Sequence, residues 1–166
     1  MLRNLIKQDF RLNRLLLQYL CTMASKHSIT LNHTLNKDID FVYTHLLDFK
    51  KFGSVHPYMI EVTELERNPE FTNYNIKERR VMVLGIIPMW PVYTAKVFEV
   101  EKGKHIRYTS PVQKGVDLVI DLTLTHTNGV TNVNEEIVVT CNAIIAKVFL
   151  GIMRKAHLEL FDKLGK

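Results

Sequence analysis

Hydrophobic and polar positions alternate along this chain with two different periods, and each change of period marks the edge of an element. From Asn142 to Leu164, residues Ile145, Val148, Phe149, Ile152, Ala156, Leu160 and Leu164 recur at three- and four-residue spacing, with Lys147, Arg154, Lys155, Glu159, Asp162 and Lys163 between them. The spacing predicts a helix of about 22 residues, roughly 33 Å long, that Gly165 ends in a left-handed conformation. A rod of that length with one apolar stripe needs an extended partner.

The preceding segments supply one. Residues 28–34 set Ile29, Leu31 and His33 against Thr30, Asn32 and Thr34, the period of a strand. Asn36 as a cap, with Asp38 and Asp40 in the first turn, predicts a helix over 37–47 that buries Ile39, Phe41, Val42, Leu46 and Leu47. A second short turn over 49–52 stops at Gly53, and Pro57 bars its continuation. Residues 59–66 read as a strand with one wetted face. Residues 71–87 read as one long strand that sets Tyr74 and Ile76 against Asn73, Asn75 and Lys77, turns almost wholly apolar from Val81, and bends or bulges at Gly85. The sequence Pro88-Met89-Trp90-Pro91 interrupts the ladder. Strands follow over 93–101, over 105–110 with a break at Pro111, over 116–127 and over 130–141, the last two joined by a tight Asn128-Gly129 turn. In the last strand Val133, Ile137, Val139 and Cys141 share a face on which Glu135 intrudes. This order predicts an α+β fold: a seven-stranded curved antiparallel sheet wrapped around a long C-terminal helix, with one or two short helices between strands 1 and 2. Strong curvature around one helix leaves room for an internal cavity.

Composition narrows the function. The chain has 166 residues, 46% of them hydrophobic and 23% charged, which suits a single globular domain with a full core. Cys21 and Cys141 are the only cysteines, too few and too far apart for a disulfide framework or a zinc site, so a reducing cytoplasm is expected. Of the formal charge of +5, residues 1–26 carry five basic groups against Asp9, a net of +4, which leaves +1 for 27–166. A body so near neutrality argues against a nucleic-acid partner. Residues 1–24 read as an N-terminal extension, helical or disordered, whose basic groups suit peripheral membrane contact; the domain proper spans 25–166. No apolar run reaches the roughly 18 residues of a membrane span. HExxH, GxSxG, a glycine-rich phosphate loop and metal-ligand spacing are all absent, so neither a metal nor a cofactor is expected.

Four stretches, in this order, resemble one known group. They are FVYTHLLDFKKFGSVHPYM at 41–59, the proline-rich turn at 88–91, Asn128-Gly129-Val130-Thr131 ahead of the last strand, and the C-terminal helix. Together residues 25–165 resemble the START-like (SRPBCC) superfamily, in particular its polyketide cyclase/dehydrase and lipid-transport group. The resemblance implies the helix-grip fold and a hydrophobic ligand, such as a lipid, sterol, quinone or polyketide, held between the sheet and the last helix. Some members catalyse cyclisation or dehydration, so the likeness does not decide between enzyme and carrier. Many relatives have a tryptophan where this chain has Phe52-Gly53.

Within such a cavity, Tyr74, Arg80, Met89, Trp90, Tyr93, Tyr108, Phe149 and Ile152 are the candidate ligand-binding residues. His56 and Glu135 are the candidates for proton transfer. Each has a plainer account: His56 as a loop histidine that satisfies local backbone groups, Glu135 as a surface group turned outward by a bulge. If Glu135 points inward it needs a partner, for which Arg80 or Tyr93 are available. Three readings stay open: a carrier of a hydrophobic small molecule, a small cyclase or dehydratase, and a surface interaction module with a filled core. Oligomeric state is not fixed by the sequence.

Overall fold

A computed structural model describes residues 24–83 and 87–166. The expected N-terminal extension up to residue 23, with its basic groups and Cys21, and the bend expected at Gly85 lie outside the described residues. The described elements are β1 (Ser25–Leu35), α1 (Ile39–Leu47), α2 (Phe49–Val55), β2 (Met59–Arg67), β3 (Thr72–Glu78), β4 (Val81–Val83), β5 (Ile87–Met89), β6 (Val92–Glu101), β7 (His105–Gln113), β8 (Val116–Thr127), β9 (Val130–Cys141) and α3 (Ala143–Gly165). Seven strands form one antiparallel sheet in the order β1-β9-β8-β7-β6-β3-β2. Two short helices between β1 and β2 and one long helix after β9 complete a helix-grip α+β fold.

The local chemistry explains most of these boundaries. Asn128 (φ 54°) and Gly129 (φ 79°) both occupy the left-handed region that a two-residue hairpin turn requires, and Thr127 pairs with Val130 across it. Asn142 caps α3 by accepting from the Ile144 backbone N–H at 2.9 Å. The cap of α1 is Asp38 rather than Asn36: its side chain accepts from the Asp40 N–H at 2.8 Å, and the helix starts at Ile39. Asp38→Ala is expected to cost about 1 kcal/mol, a melting temperature lower by roughly 2–4 °C, measurable by thermal denaturation.

Three expectations need correction. The stretch over 71–87 is not one strand: β3 ends at Glu78 and the chain leaves the main sheet to form a separate hairpin, in which β4 pairs with β5 and Met82 lies opposite Pro88. The proline-rich stretch is thus partly strand, at the rim of a two-stranded ribbon where Pro88 has no second neighbour to bond. The strand expected to break at Pro111 runs on to Gln113, because the β6–β7 ladder begins at Lys96–Thr109 and asks nothing of the Pro111 nitrogen. Gly165 is the last residue of α3 and does not adopt a positive φ.

The two halves of α3 have different surroundings. Ala156, Leu160, Phe161 and Leu164 are buried where the helix packs on β1 and β9. Ile144 and Ile145 are exposed, and Val148, Phe149, Ile152 and Met153 are only half-buried. The second half completes the core; the first half overhangs a space. Gly53 lets α2 close one end of that space, since a Cβ there would stand 2.6 Å from Val62 Cγ2.

Candidate functional site

That space is a cavity of about 440 Å³ bounded by the first half of α3, by α2, by the inner faces of β6, β7 and β8, and by the β4–β5 hairpin. Its walls are mostly apolar: Phe49 and Phe52 of α2, Ala95 of β6, Leu118 and Ile120 of β8, and Val148, Phe149, Ile152 and Met153 of α3. Such a volume lies within the range of small-molecule sites. The rim is apolar as well, with Trp90 64% exposed, Val92 59% and Ile144 66%.

A minority of the lining groups are polar, and several of these are held by partners. Ser110 Oγ donates to the Thr94 carbonyl at 2.6 Å. Tyr93 Oη donates to Glu78 Oε1 at 2.6 Å. Burial raises the Glu78 carboxyl, more than the Tyr93 hydrogen bond lowers it, and burial beside Glu78 pushes the Tyr93 phenol well above its ordinary range. Tyr108, wholly enclosed, donates its hydroxyl to the Leu46 carbonyl and braces α1 against the sheet.

Two histidines complete the floor. His56, 6% exposed at the end of α2, accepts the backbone N–H groups of Tyr58 and Met59 on Nδ1, each at 3.3 Å. Burial, reinforced by His157 whenever that ring is protonated and by the Lys163 charge, lowers its pKa from 6.5 to about 3. The ring is therefore neutral, and since Nδ1 accepts, its hydrogen sits on Nε2. His157 of α3 stands with its ring centroid 5.8 Å away, nearly perpendicular at 85°. Its Nδ1 bonds Glu135 Oε1, while His33 Nε2 bonds the other oxygen, Oε2, at 3.0 Å. Phe161 stacks on His33 at 3.6 Å and closes the far side. Burial by itself would raise the Glu135 carboxyl; His157, attractive in its protonated form, and the two histidine hydrogen bonds outweigh it and bring the pKa to about 2. Glu135 is thus a carboxylate with no solvent exposure between two imidazoles.

Of the candidates drawn from the sequence, Met89, Trp90, Tyr93, Tyr108, Phe149, Ile152 and His56 line the cavity. Tyr74 and Arg80 do not. Phe49 stacks on the Tyr74 ring at 5.6 Å and occupies the cavity side of it. Arg80 is exposed beyond the end of β3, with Nε donating to Met82 Sδ at 3.3 Å. Glu135 points inward because β9 pairs with β1 and β8 in unbroken register, so no bulge turns it out. Its partners are His33 and His157, not Arg80 or Tyr93. Both accounts of His56 hold together: one nitrogen satisfies backbone groups while the ring lines the cavity.

The sequence reading omitted Glu78 and His157. Each carried a signal. Glu78 continues the inward series Tyr74, Ile76 by one more step of two. His157 falls on the helical stripe with Leu160, Phe161 and Leu164. Among the described residues, no three His, Cys, Asp or Glu side chains are placed to hold a metal ion, and no helix is long and apolar enough to cross a membrane.

Comparison with known proteins bears on the fold. No family model matches the chain, and no curated protein matches its sequence. Solved structures do. The Zhui aromatase/cyclase from Streptomyces sp. R1128 superposes with a TM-score of 0.69 at 12% identity, over 84% of this chain and 92% of that one. A START superfamily protein from Mycobacterium smegmatis gives 0.65 at 11% identity, over 83% and 97%. Ara h 8.0201 gives 0.64 at 11% identity, over 85% and 96%. The described chain accordingly has the START-like, helix-grip fold.

Proposed function

We propose that the protein binds a hydrophobic small molecule, lipid-, quinone- or polyketide-like, in the cavity beneath the first half of α3. The observation that carries this reading is an apolar space of about 440 Å³ with an apolar rim and a few fixed polar groups at its floor. An interior with such a space argues against the surface module with a filled core. An aromatic body that buries roughly 200 Å² there gains about 5 kcal/mol from leaving water, before ordering costs. The resemblance to proteins of the START superfamily and to an aromatase/cyclase supports the same reading. A cytoplasmic setting suits the free, buried thiol of Cys141.

The test is a titration with N-phenyl-1-naphthylamine, whose emission rises in apolar surroundings, against the native protein and Ile152→Trp. Ile152 lines the cavity on α3 and is half-buried, so the larger ring extends into the space. Saturable one-to-one binding is expected, weakened at least tenfold, or about 1.4 kcal/mol, in the variant with its melting temperature held. Equal binding by both proteins would put the probe elsewhere and remove the reading. Mass spectrometry of small molecules retained through gentle purification then identifies the chemical class of the natural ligand.

A further inference from the structure

The tautomers of the two floor histidines are fixed by what they touch. A carboxylate only accepts, so the His157 nitrogen bonded to Glu135 carries the hydrogen, and in the neutral form of the ring the lone pair lies on Nε2, the edge Glu135 leaves free. His56 has the opposite arrangement, with a bare Nδ1 held by two backbone N–H groups and its hydrogen on Nε2. A base and a donor therefore stand side by side, ring centroids 5.8 Å apart, and both rings line the same cavity. Nothing beside them suits covalent attack. Ser110 Oγ has given its hydrogen to the Thr94 carbonyl, and Cys141 is buried away from the lining.

We propose that the cavity floor is a proton-transfer site: His157 is a general base oriented by Glu135, His56 Nε2–H is a hydrogen-bond donor, and the substrate is a hydrophobic ketone with an acidic C–H beside its carbonyl. The proposal rests on the cavity being a ligand site. In the step, His157 Nε2 takes the proton from carbon. The C–H electron pair becomes the double bond of an enolate, and its oxygen accepts from His56 Nε2–H. The imidazolium that forms on His157 is held against the Glu135 carboxylate, and the same ring returns the proton to carbon or oxygen. Charge and atoms balance with no other reactant. A neutral imidazole as electrophile and an imidazole base steadied by a buried carboxylate are each established catalytic devices. Glu135 touches no substrate and is a positioning residue.

The test uses 2-tetralone, a bicyclic aromatic ketone with an acidic benzylic C–H, in heavy water. Binding is read from the emission of Trp90, the sole tryptophan, at the rim. Exchange of hydrogen for deuterium at carbon is followed by proton NMR. His157→Asn keeps a donor toward Glu135 and removes the base; His56→Asn keeps an acceptor for the backbone N–H groups and withdraws the donor from the position of Nε2. At equal occupancy the native protein is expected to exchange at least about 100-fold faster than His157→Asn and about tenfold faster than His56→Asn. Glu135→Gln is expected to bind within about twofold and to exchange at least tenfold more slowly. Its nitrogen-15 spectrum is expected to lose the Nδ1–H signature of His157, which a merely structural role would leave in place. Saturable binding with equal exchange in native protein and His157→Asn overturns the proposal alone, whereas no binding removes the ligand-site reading and the proposal with it. Should a variant fail to fold, the native nitrogen-15 spectrum decides: hydrogen on Nε2 of His157 instead of Nδ1 overturns the assignment.

Discussion

Glu135→Ala is expected to destabilise the protein by about 3–5 kcal/mol, the range for removing one partner of a buried charged cluster, and to lower the melting temperature by roughly 10 °C. The carboxylate is wholly enclosed and accepts from His33 and His157 on opposite oxygens. Its removal leaves two ring N–H groups without acceptors, at about 1–3 kcal/mol each, beside an unfilled volume. A contrast sharpens the expectation. Replacing all three groups together, His33→Leu, Glu135→Leu and His157→Leu, is expected to recover most of the loss, because an apolar cluster of similar volume matches or exceeds a buried ionic one in stability. Chemical denaturation of the single and triple variants measures both, and a triple variant no more stable than Glu135→Ala contradicts this account. Recovery would mean that folding does not need the three polar groups, which leaves the cavity that His157 lines as the place where their chemistry matters.

Much of this arrangement was legible in the chain, and the remainder shows what periodicity lacks. The sheet, the long helix and the two short helices follow from spacing and turn chemistry because one buried face imposes its period on each element. The Asn128-Gly129 turn fixed the β8–β9 register outright, and with it the inward direction of Glu135. The identity of its partners was not legible. His33 stands 102 residues away and meets Glu135 only because β1, first in the chain, adds beside β9, the last strand. Local pattern contains no term for that long-range pairing. The error over 71–87 has a different origin. An apolar run reads alike whether it continues a strand or peels away into a second hairpin, and only the first case would bring Arg80 to the cavity. Tyr74 failed as a lining residue for a third reason: facing inward is not the same as facing the space, since Phe49 stands between.

The second large effect is acid sensitivity through His56. Its pKa is about 3 in the folded protein against 6.5 for the free ring, so between those values the unfolded chain binds a proton that the folded one refuses. The stabilisation is complete above about 6.5 and is lost progressively as pH falls toward about 3. At about 1.4 kcal/mol per unit, the window spans several kcal/mol. Glu135 acts in the same direction but lower down: its folded pKa of about 2 against 4.5 means its stabilisation is present above about 4.5 and fades below. Glu78 opposes both, because its raised carboxyl favours the folded state at low pH and loses that contribution as pH rises. His56→Asn isolates the first component, since its amide oxygen takes the place of Nδ1 as acceptor for Tyr58 and Met59 while the titration disappears. In urea unfolding at pH 5, 6, 7 and 8, the native protein is expected to lose about 1 kcal/mol per unit between pH 6 and 5 relative to the variant, with little difference in slope between 7 and 8. Parallel curves across the whole range would mean that folding leaves the His56 pKa unchanged, so that the ring is charged in the folded state at pH 5. Its ring would then carry hydrogen on both nitrogens, and the backbone N–H groups now held by Nδ1 would have lost their acceptor.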